Sequence, residues 1–162
     1  MTELTTGSTA PEFQISAVTR TGESEISLSD YHGKSSVVLY FYPKDDTPGC
    51  TTESCNFRDL LPQFEAAGST ILGISPDDQA SHVKFAENHA LPFPLLADVG
   101  HAVAEAYGVW KEKTNYGKTY WGIERTTFVI DKDGKIAKVY PRVKVEDHAQ
   151  KALEFVQTLS AE

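Results

Sequence analysis

"SVVLYFYPKDDTPGC" runs from Ser36 to Cys50 and contains the change from one kind of structure to another. Ser36–Pro43 is β-branched and aromatic, and apolar at odd and even positions alike. Such a run reads as a central strand buried on both faces. Lys44–Gly49 is rich in turn-forming residues. Beyond it, "CTTESCNFRDLLPQFEAAG" (Cys50–Gly68) reads as a helix that stops at glycine. Pro62 lies inside that helix and is expected to kink or divide it.

Outward from this stretch the pattern repeats. Downstream, Ser69–Ser75 is a second apolar strand, and Asp77–Ala90 an amphipathic helix with Val83, Phe85 and Ala86 inward. Phe93–Asp98 is a short strand and Gly100–Val109 a short helix. Glu124–Tyr140 forms two β-rich runs around an Asp-Lys-Asp-Gly turn, a hairpin. Val145–Leu159 closes the chain as an amphipathic helix with Asp147 as its N-cap. Upstream, Phe13–Thr19 alternates like a strand, Arg20–Ser24 signals a turn, and Glu25–Tyr31 returns as a second strand. Strand–helix alternation in the middle argues for parallel pairing, and the late hairpin adds antiparallel strands. The expected fold is α/β: a mixed central β-sheet with helices on both faces and an N-terminal β-hairpin. Sites in such sheets lie beyond the carboxyl ends of central strands, where Cys50 falls.

The 162 residues fit one domain, spanning 1–162, with residues 1–10 as a loose polar tail. The formal net charge of −8 disfavours nucleic acid and anionic membranes as partners, because phosphate is bound by basic patches. "MTELTTGSTAPEF" has no basic or apolar region of a secretory signal, and no apolar run is long enough to span a bilayer. The expected compartment is the cytoplasm, where a permanent structural disulfide is rare. The chain has two cysteines, Cys50 and Cys55. They are then either inert core thiols or a reversible redox pair. Their spacing fits neither a Cys-x-x-Cys redox site nor a zinc site.

A thiol attacks as thiolate, and the N-terminus of a helix favours that negative charge. Cys50 stands there, after a loop stiffened by Pro48, with Gly49 permitting close backbone approach and Thr47 able to turn its hydroxyl into the same pocket. Taken singly, Pro43, Thr47, Pro48 and Gly49 each read as a turn-former ahead of a catalytic residue. On an ideal helix, residues five apart are rotated by about 140° and their Cα atoms lie roughly 8–9 Å apart, beyond the roughly 7 Å limit for a disulfide. Cys50 and Cys55 could therefore bond only if the first turns unwound. Cys55 could equally be a small buried hydrophobe.

Pro43, Thr47 and Cys50 fit a Pro-x-x-x-Thr-x-x-Cys signature, and here the chain resembles the peroxiredoxins. "YPKDDTPGCTTESC" is similar to the bacterioferritin-comigratory-protein or PrxQ subfamily. The likeness continues through "LGISPDD", "KFAENHALPFPLLAD", "AYGVWKEK", "YGKTYWGIERTTFVIDKDGKI" and "RVKVEDHA", from Ala10 to about Leu159. Glu146 and Asp147 depart from the Pro-Gly turn often found in that subfamily. The resemblance implies a thioredoxin-like fold and a thiol peroxidase that reduces hydrogen peroxide and organic hydroperoxides. It implies Cys50 as the peroxidatic cysteine and Cys55 as the resolving one, joined in an intramolecular disulfide that thioredoxin or a similar dithiol reduces. Thr47 would hydrogen-bond peroxide and thiolate, Pro43 would shield the pocket, and Arg125 would stabilise the thiolate and the polarised peroxide. The resemblance also implies a monomer and no cofactor.

The alternatives are a thioredoxin-like disulfide exchange protein or peroxide sensor, and a binding protein with inert thiols. His32, His82, His89, His101 and His148 show no ligand spacing, so no metal is expected. Asp45-Asp46 and Asp77-Asp78 read as turns and caps. "YWGI" (Tyr120–Ile123) reads either as an aromatic rim to the site or as core or edge packing.

Overall fold

The computed structural model describes residues 4–160. Its elements are β1 (Gln14–Thr19), β2 (Gly22–Ser27), β3 (Ser36–Phe41), α1 (Pro48–Ala66), β4 (Ser69–Ser75), α2 (Gln79–His89) and β5 (Leu95–Ala97). They continue with α3 (Ala102–Ala106), β6 (Trp110–Asn115), β7 (Lys118–Ile123), β8 (Thr126–Ile130), β9 (Ile136–Tyr140) and α4 (His148–Ser160). Seven strands form one mixed sheet in the order β2-β1-β5-β4-β3-β8-β9. The β3–β4 and β4–β5 pairs are parallel. The N-terminal hairpin joins through an antiparallel β1–β5 pair, and β8 runs antiparallel to β3.

All six residues of β3 are buried, as an apolar run with no polar face requires. Val38, Tyr40 and Tyr42 pack with Phe57 and Phe64 of α1, Phe85 of α2, and Leu153 and Val156 of α4. Val37, Leu39 and Phe41 pack with Phe13, Ala104 of α3, Tyr107 and Phe128 on the other face. Tyr40 leans over Gly73, where a Cβ would stand 2.8 Å from its ring, so this crossing needs glycine.

Some expectations need correction. The return strand of the first hairpin starts earlier and ends sooner, pairing Thr19 with Gly22 around a tight turn. It stops because the Asp30 carboxylate accepts the Ser27 N–H (3.0 Å) and the chain enters a 3₁₀ turn, Leu28–Tyr31. The helix after β3 begins at Pro48, a favoured first position because the N–H that proline lacks has no helical partner there. It runs undivided through Pro62, which is exposed, so water can satisfy the carbonyl left free. In α2 the inward residues are His82 and Phe85, with Val83 only half-buried. Asp147 precedes α4 with a left-handed backbone (φ 58), and its carbonyl accepts the Lys151 N–H at 3.0 Å.

The tail is also less loose than its composition suggests. Residues 1–3 lie outside the described residues. Gly7 donates to the Ile136 carbonyl (2.8 Å), Ile136 to that of Ser8 (2.8 Å), and Ala10 to that of Gly134 (2.9 Å). The β6–β7 hairpin was not expected. It turns at Tyr116 and Gly117, both with positive φ, and leaves Tyr120 and Trp121 exposed, so the first two residues of "YWGI" are not core. Among the described residues no helix is long and apolar enough to cross a membrane.

Candidate active site

Cys50 is the third residue of α1, in the turn whose N–H groups lack partners within the helix. Its side chain is fully buried. Arg125 donates from Nη2 to the Cys50 sulfur at 3.2 Å and from Nη1 to Glu53 Oε1 at 2.7 Å. Cys50 and Glu53 are three apart and so share a helix face, which lets one planar guanidinium serve both.

Sheet register brings this arginine to the cysteine. Arg125 directly precedes β8, and β8 pairs Thr126 with Phe41, the last residue of β3. The arginine therefore falls at the carboxyl end of β3, where the connection to α1 begins. Its carbonyl accepts the Val143 N–H at 2.9 Å, which holds the segment. Gly49 leaves the space for the guanidinium: a Cβ there would stand 3.3 Å from Nη2.

Glu53 is 1 % exposed, and among the described residues its Oε2 has no hydrogen-bond partner. Burial lifts its pKa to about 7, although the charge and hydrogen bond of Arg125 act the other way. Burial acts to lower the pKa of Arg125, but the charges of Glu53 and Cys50 and its bonds to them prevail and raise it. Lys113 on β6 is half-buried. Burial first, then the Arg125 charge, lowers its pKa, against the pull of Glu124 and Cys50. The unexpected hairpin thus adds a cation to the electrostatic field of Cys50.

Thr47 is the N-cap residue of α1 but does not cap with its side chain. Its hydroxyl donates to the Lys44 carbonyl at 2.8 Å, leaving the oxygen lone pairs to accept from a ligand. Pro43 is half-buried at the bend after β3. Cys55 is a half-buried free thiol further along the same unbroken helix, and Cys50 is free too. Fold and register therefore gather Cys50, Arg125 and Thr47 about the start of α1.

Sequence reading missed Glu53, Lys113 and a cluster on the other side of the loop. The spacing of Glu53 from Cys50 is visible in the sequence, but its burial is not. The histidine spacing suggested no ligand set, yet folding places donor atoms of Asp45, Asp77 and His82 within 4.8 Å of one another. Those atoms already hold hydrogen bonds: Asp45 to His82, and Asp77 to Ser75 and the Asp45 N–H. This is a closed network of protein groups.

The AhpC/TSA family matches residues 6–139. Peroxiredoxin Bcp of Bacillus subtilis is 51% identical over 154 residues, covering 95% of this chain and 96% of that protein. One solved structure concerns the alkyl peroxide reduction activity of Xanthomonas campestris bacterioferritin comigratory protein. It is 38% identical, with a TM-score of 0.85, covering 91% of this chain and 92% of that one. A PrxQ mutant structure from Xylella fastidiosa superimposes with a TM-score of 0.90 at 37% identity, over 100% of both chains.

Proposed function

The chain belongs to the AhpC/TSA family, in its Bcp and PrxQ peroxiredoxin branch, and on that premise we propose how its residues divide the work of a thiol peroxidase. Cys50 is the peroxidatic cysteine. Its thiolate sulfur attacks one oxygen of the hydroperoxide; the S–O bond forms as the O–O bond breaks, and the leaving oxygen takes a proton to become water or an alcohol. Arg125 balances charge on the sulfur at first and on the departing oxygen later, as a preset donor should. Thr47, with its proton committed to Lys44, accepts the hydrogen bond of the incoming hydroperoxide. Pro43 shields the pocket from water.

The product is a sulfenic acid on Cys50. Cys55 attacks it as thiolate, displaces hydroxide, and forms the Cys50–Cys55 disulfide once the first turns of α1 unwind. A dithiol reductant of the thioredoxin type restores both thiols by exchange. The alkyl peroxide reduction activity of the Xanthomonas relative supports organic hydroperoxides beside hydrogen peroxide as substrates. Because one chain supplies both cysteines, the working form is a monomer, and the compartment that keeps its thiols reduced is the cytoplasm.

The observation that carries this reading is the 3.2 Å bond from Arg125 to a buried sulfur at the start of a helix. The test is one equivalent of hydrogen peroxide added to reduced protein, then intact mass and free-thiol count. Loss of both thiols with about 2 Da of mass is expected for the disulfide. Added oxygen with one thiol surviving would remove Cys55 from its role. Two untouched thiols would remove the peroxidase reading.

A further inference from the structure

The loop before α1 is tied to α2 by a buried polar network. Asp45 is its centre and is 6 % exposed. Asp45 Oδ1 accepts the Tyr42 hydroxyl at 2.6 Å. Oδ2 accepts the Ser81 hydroxyl at 2.8 Å and lies 2.7 Å from His82 Nδ1. The Asp45 N–H donates to Asp77 Oδ2 at 2.7 Å. This one residue is thus held by main chain and side chain to the end of β4 and the start of α2.

His82 is fully buried, and its Nε2 lies 2.8 Å from the Leu96 carbonyl oxygen. A carbonyl only accepts, so Nε2 carries a hydrogen. One further proton then lies between Nδ1 and Oδ2, whichever atom holds it, and the pair is neutral as a whole. That solves the main difficulty of burying a carboxylate. The imidazole becomes a rod from β5 through α2 to the loop. A buried polar network that only filled core could be apolar at lower cost. This one ends on the loop that carries the ligand-facing group: Lys44, whose carbonyl takes the Thr47 proton, and Thr47 itself flank Asp45 within two residues. Asp46 adds an outer tie through the His89 ring at 2.9 Å.

We propose that Asp45 and His82 are positioning residues for the peroxide step: they fix the Lys44–Thr47 turn, and so the Thr47 hydroxyl, against Cys50. The inference rests on the peroxidase reading above. It assigns the work to peroxide orientation and leaves the intrinsic reactivity of the sulfur to Arg125 and the helix.

Two variants of one residue test it. In His82→Asn the side-chain amide replaces Nδ1 and keeps the tie to Asp45. In His82→Gln it replaces Nε2 and keeps only the tie to Leu96. Both remove an imidazole of the same volume from the same core site. The readouts are the rate of Cys50 oxidation by hydrogen peroxide and the rate of Cys50 alkylation by iodoacetamide, which does not use the peroxide-orienting groups. His82→Gln is expected to lose about tenfold or more in the first, the scale of a misplaced positioning group, with alkylation within about twofold of wild type. His82→Asn is expected to stay within about threefold in both. Equal losses in the two variants, or parallel losses of oxidation and alkylation in His82→Gln, would overturn the proposal. If either variant fails to fold, Ser81→Ala, at a half-buried position, decides: about a three- to fivefold loss in oxidation alone supports it, and an unchanged rate overturns it. Wild-type Cys50 that ignores peroxide would take down the peroxidase reading and this inference together, whereas reactive wild type beside an indifferent His82→Gln would take down only the inference.

Discussion

Glu53 and His148 are both buried and both sense the charge of Arg125, yet they respond to pH in opposite senses. Burial raises Glu53 to about 7 from an ordinary 4.5, so between those values the folded chain keeps a proton that the unfolded chain has released. Stability from this group is full below 4.5 and falls as pH rises through 7, by up to about 3 kcal/mol. Glu53→Gln mimics the protonated form. Its urea midpoint relative to wild type is expected to climb between pH 4.5 and 7 and then level off; a constant gap would mean that Glu53 carries no shifted proton. His148 packs edge-on against Phe57 and Tyr140, and Thr127 Oγ1 lies 2.8 Å from its Nε2. Burial first, then Arg125 and Lys151, lower its pKa to about 4 from 6.5. The folded chain refuses a proton that the unfolded chain accepts, so stability is full above 6.5 and is lost as pH falls towards 4, again by up to about 3 kcal/mol. His148→Gln, which keeps a group at the Nε2 position, is expected to flatten that acid limb in the same urea series. At this scale Cys50, Thr47 and Arg125 could be picked out from the sequence through a signature and a resemblance. Glu53 and His148 could not, because what makes them consequential is burial, and burial depends on which neighbours the fold supplies.

Among the elements, α1 carries both thiols, and on the proposed cycle its first turns must open before Cys55 can reach Cys50. Besides the bond from Arg125 to Cys50, four ties hold α1 through its first three turns. Arg125 bonds Glu53, and Tyr40 and Ser54 share a hydroxyl–hydroxyl bond at 2.8 Å. Phe57 stacks on Tyr40 with ring centroids 4.8 Å apart, and Arg58 Nη1 donates to the His89 carbonyl at 2.7 Å. Tyr40→Phe removes one hydroxyl and keeps the stack. Closed helix is then less favoured by about 1 kcal/mol, and disulfide formation after oxidation should quicken about fivefold while oxidation of Cys50 is unchanged. Rapid mixing with peroxide, quenching and mass analysis would separate the two steps; an unchanged disulfide rate would mean that opening is not limited by this bond. The main strands and helices could be read from sequence because their apolar periodicity is strong. The β6–β7 hairpin could not: "WKEKTN" and "KTYWGI" are mostly exposed and show no buried face to mark them as strands. Its turn, Asn-Tyr-Gly-Lys, was the available clue.

For the whole molecule, a sheet covered on both faces sets the reach of each local feature. The site is assembled from two distant pieces of chain: the loop after β3, which runs straight into the first turns of α1, and the residue before β8. Parallel and antiparallel neighbours of β3 bring them to one end of the sheet. Sequence alternation indicated a mixed sheet, but strand order and register are what set Arg125 against Cys50, and periodicity carries neither. The N-terminal segment shows the same limit from the other side. Small polar residues read as a tail, yet Gly7, Ser8 and Ala10 exchange three backbone hydrogen bonds with Gly134 and Ile136, and Ala10 is buried. These contacts fasten the turn between β8 and β9, at the opposite end of β8 from Arg125. Removing residues 1–10 should therefore destabilise the fold by about 3 kcal/mol, near 1 kcal/mol for each backbone bond. It should leave the rate of Cys50 oxidation within about twofold, because distant sites with no shared partners act independently. Urea denaturation paired with single-turnover peroxide kinetics checks both. An unchanged midpoint would show that the segment contributes nothing to stability, and a slowed oxidation would show that β8 transmits changes at its far end to Arg125.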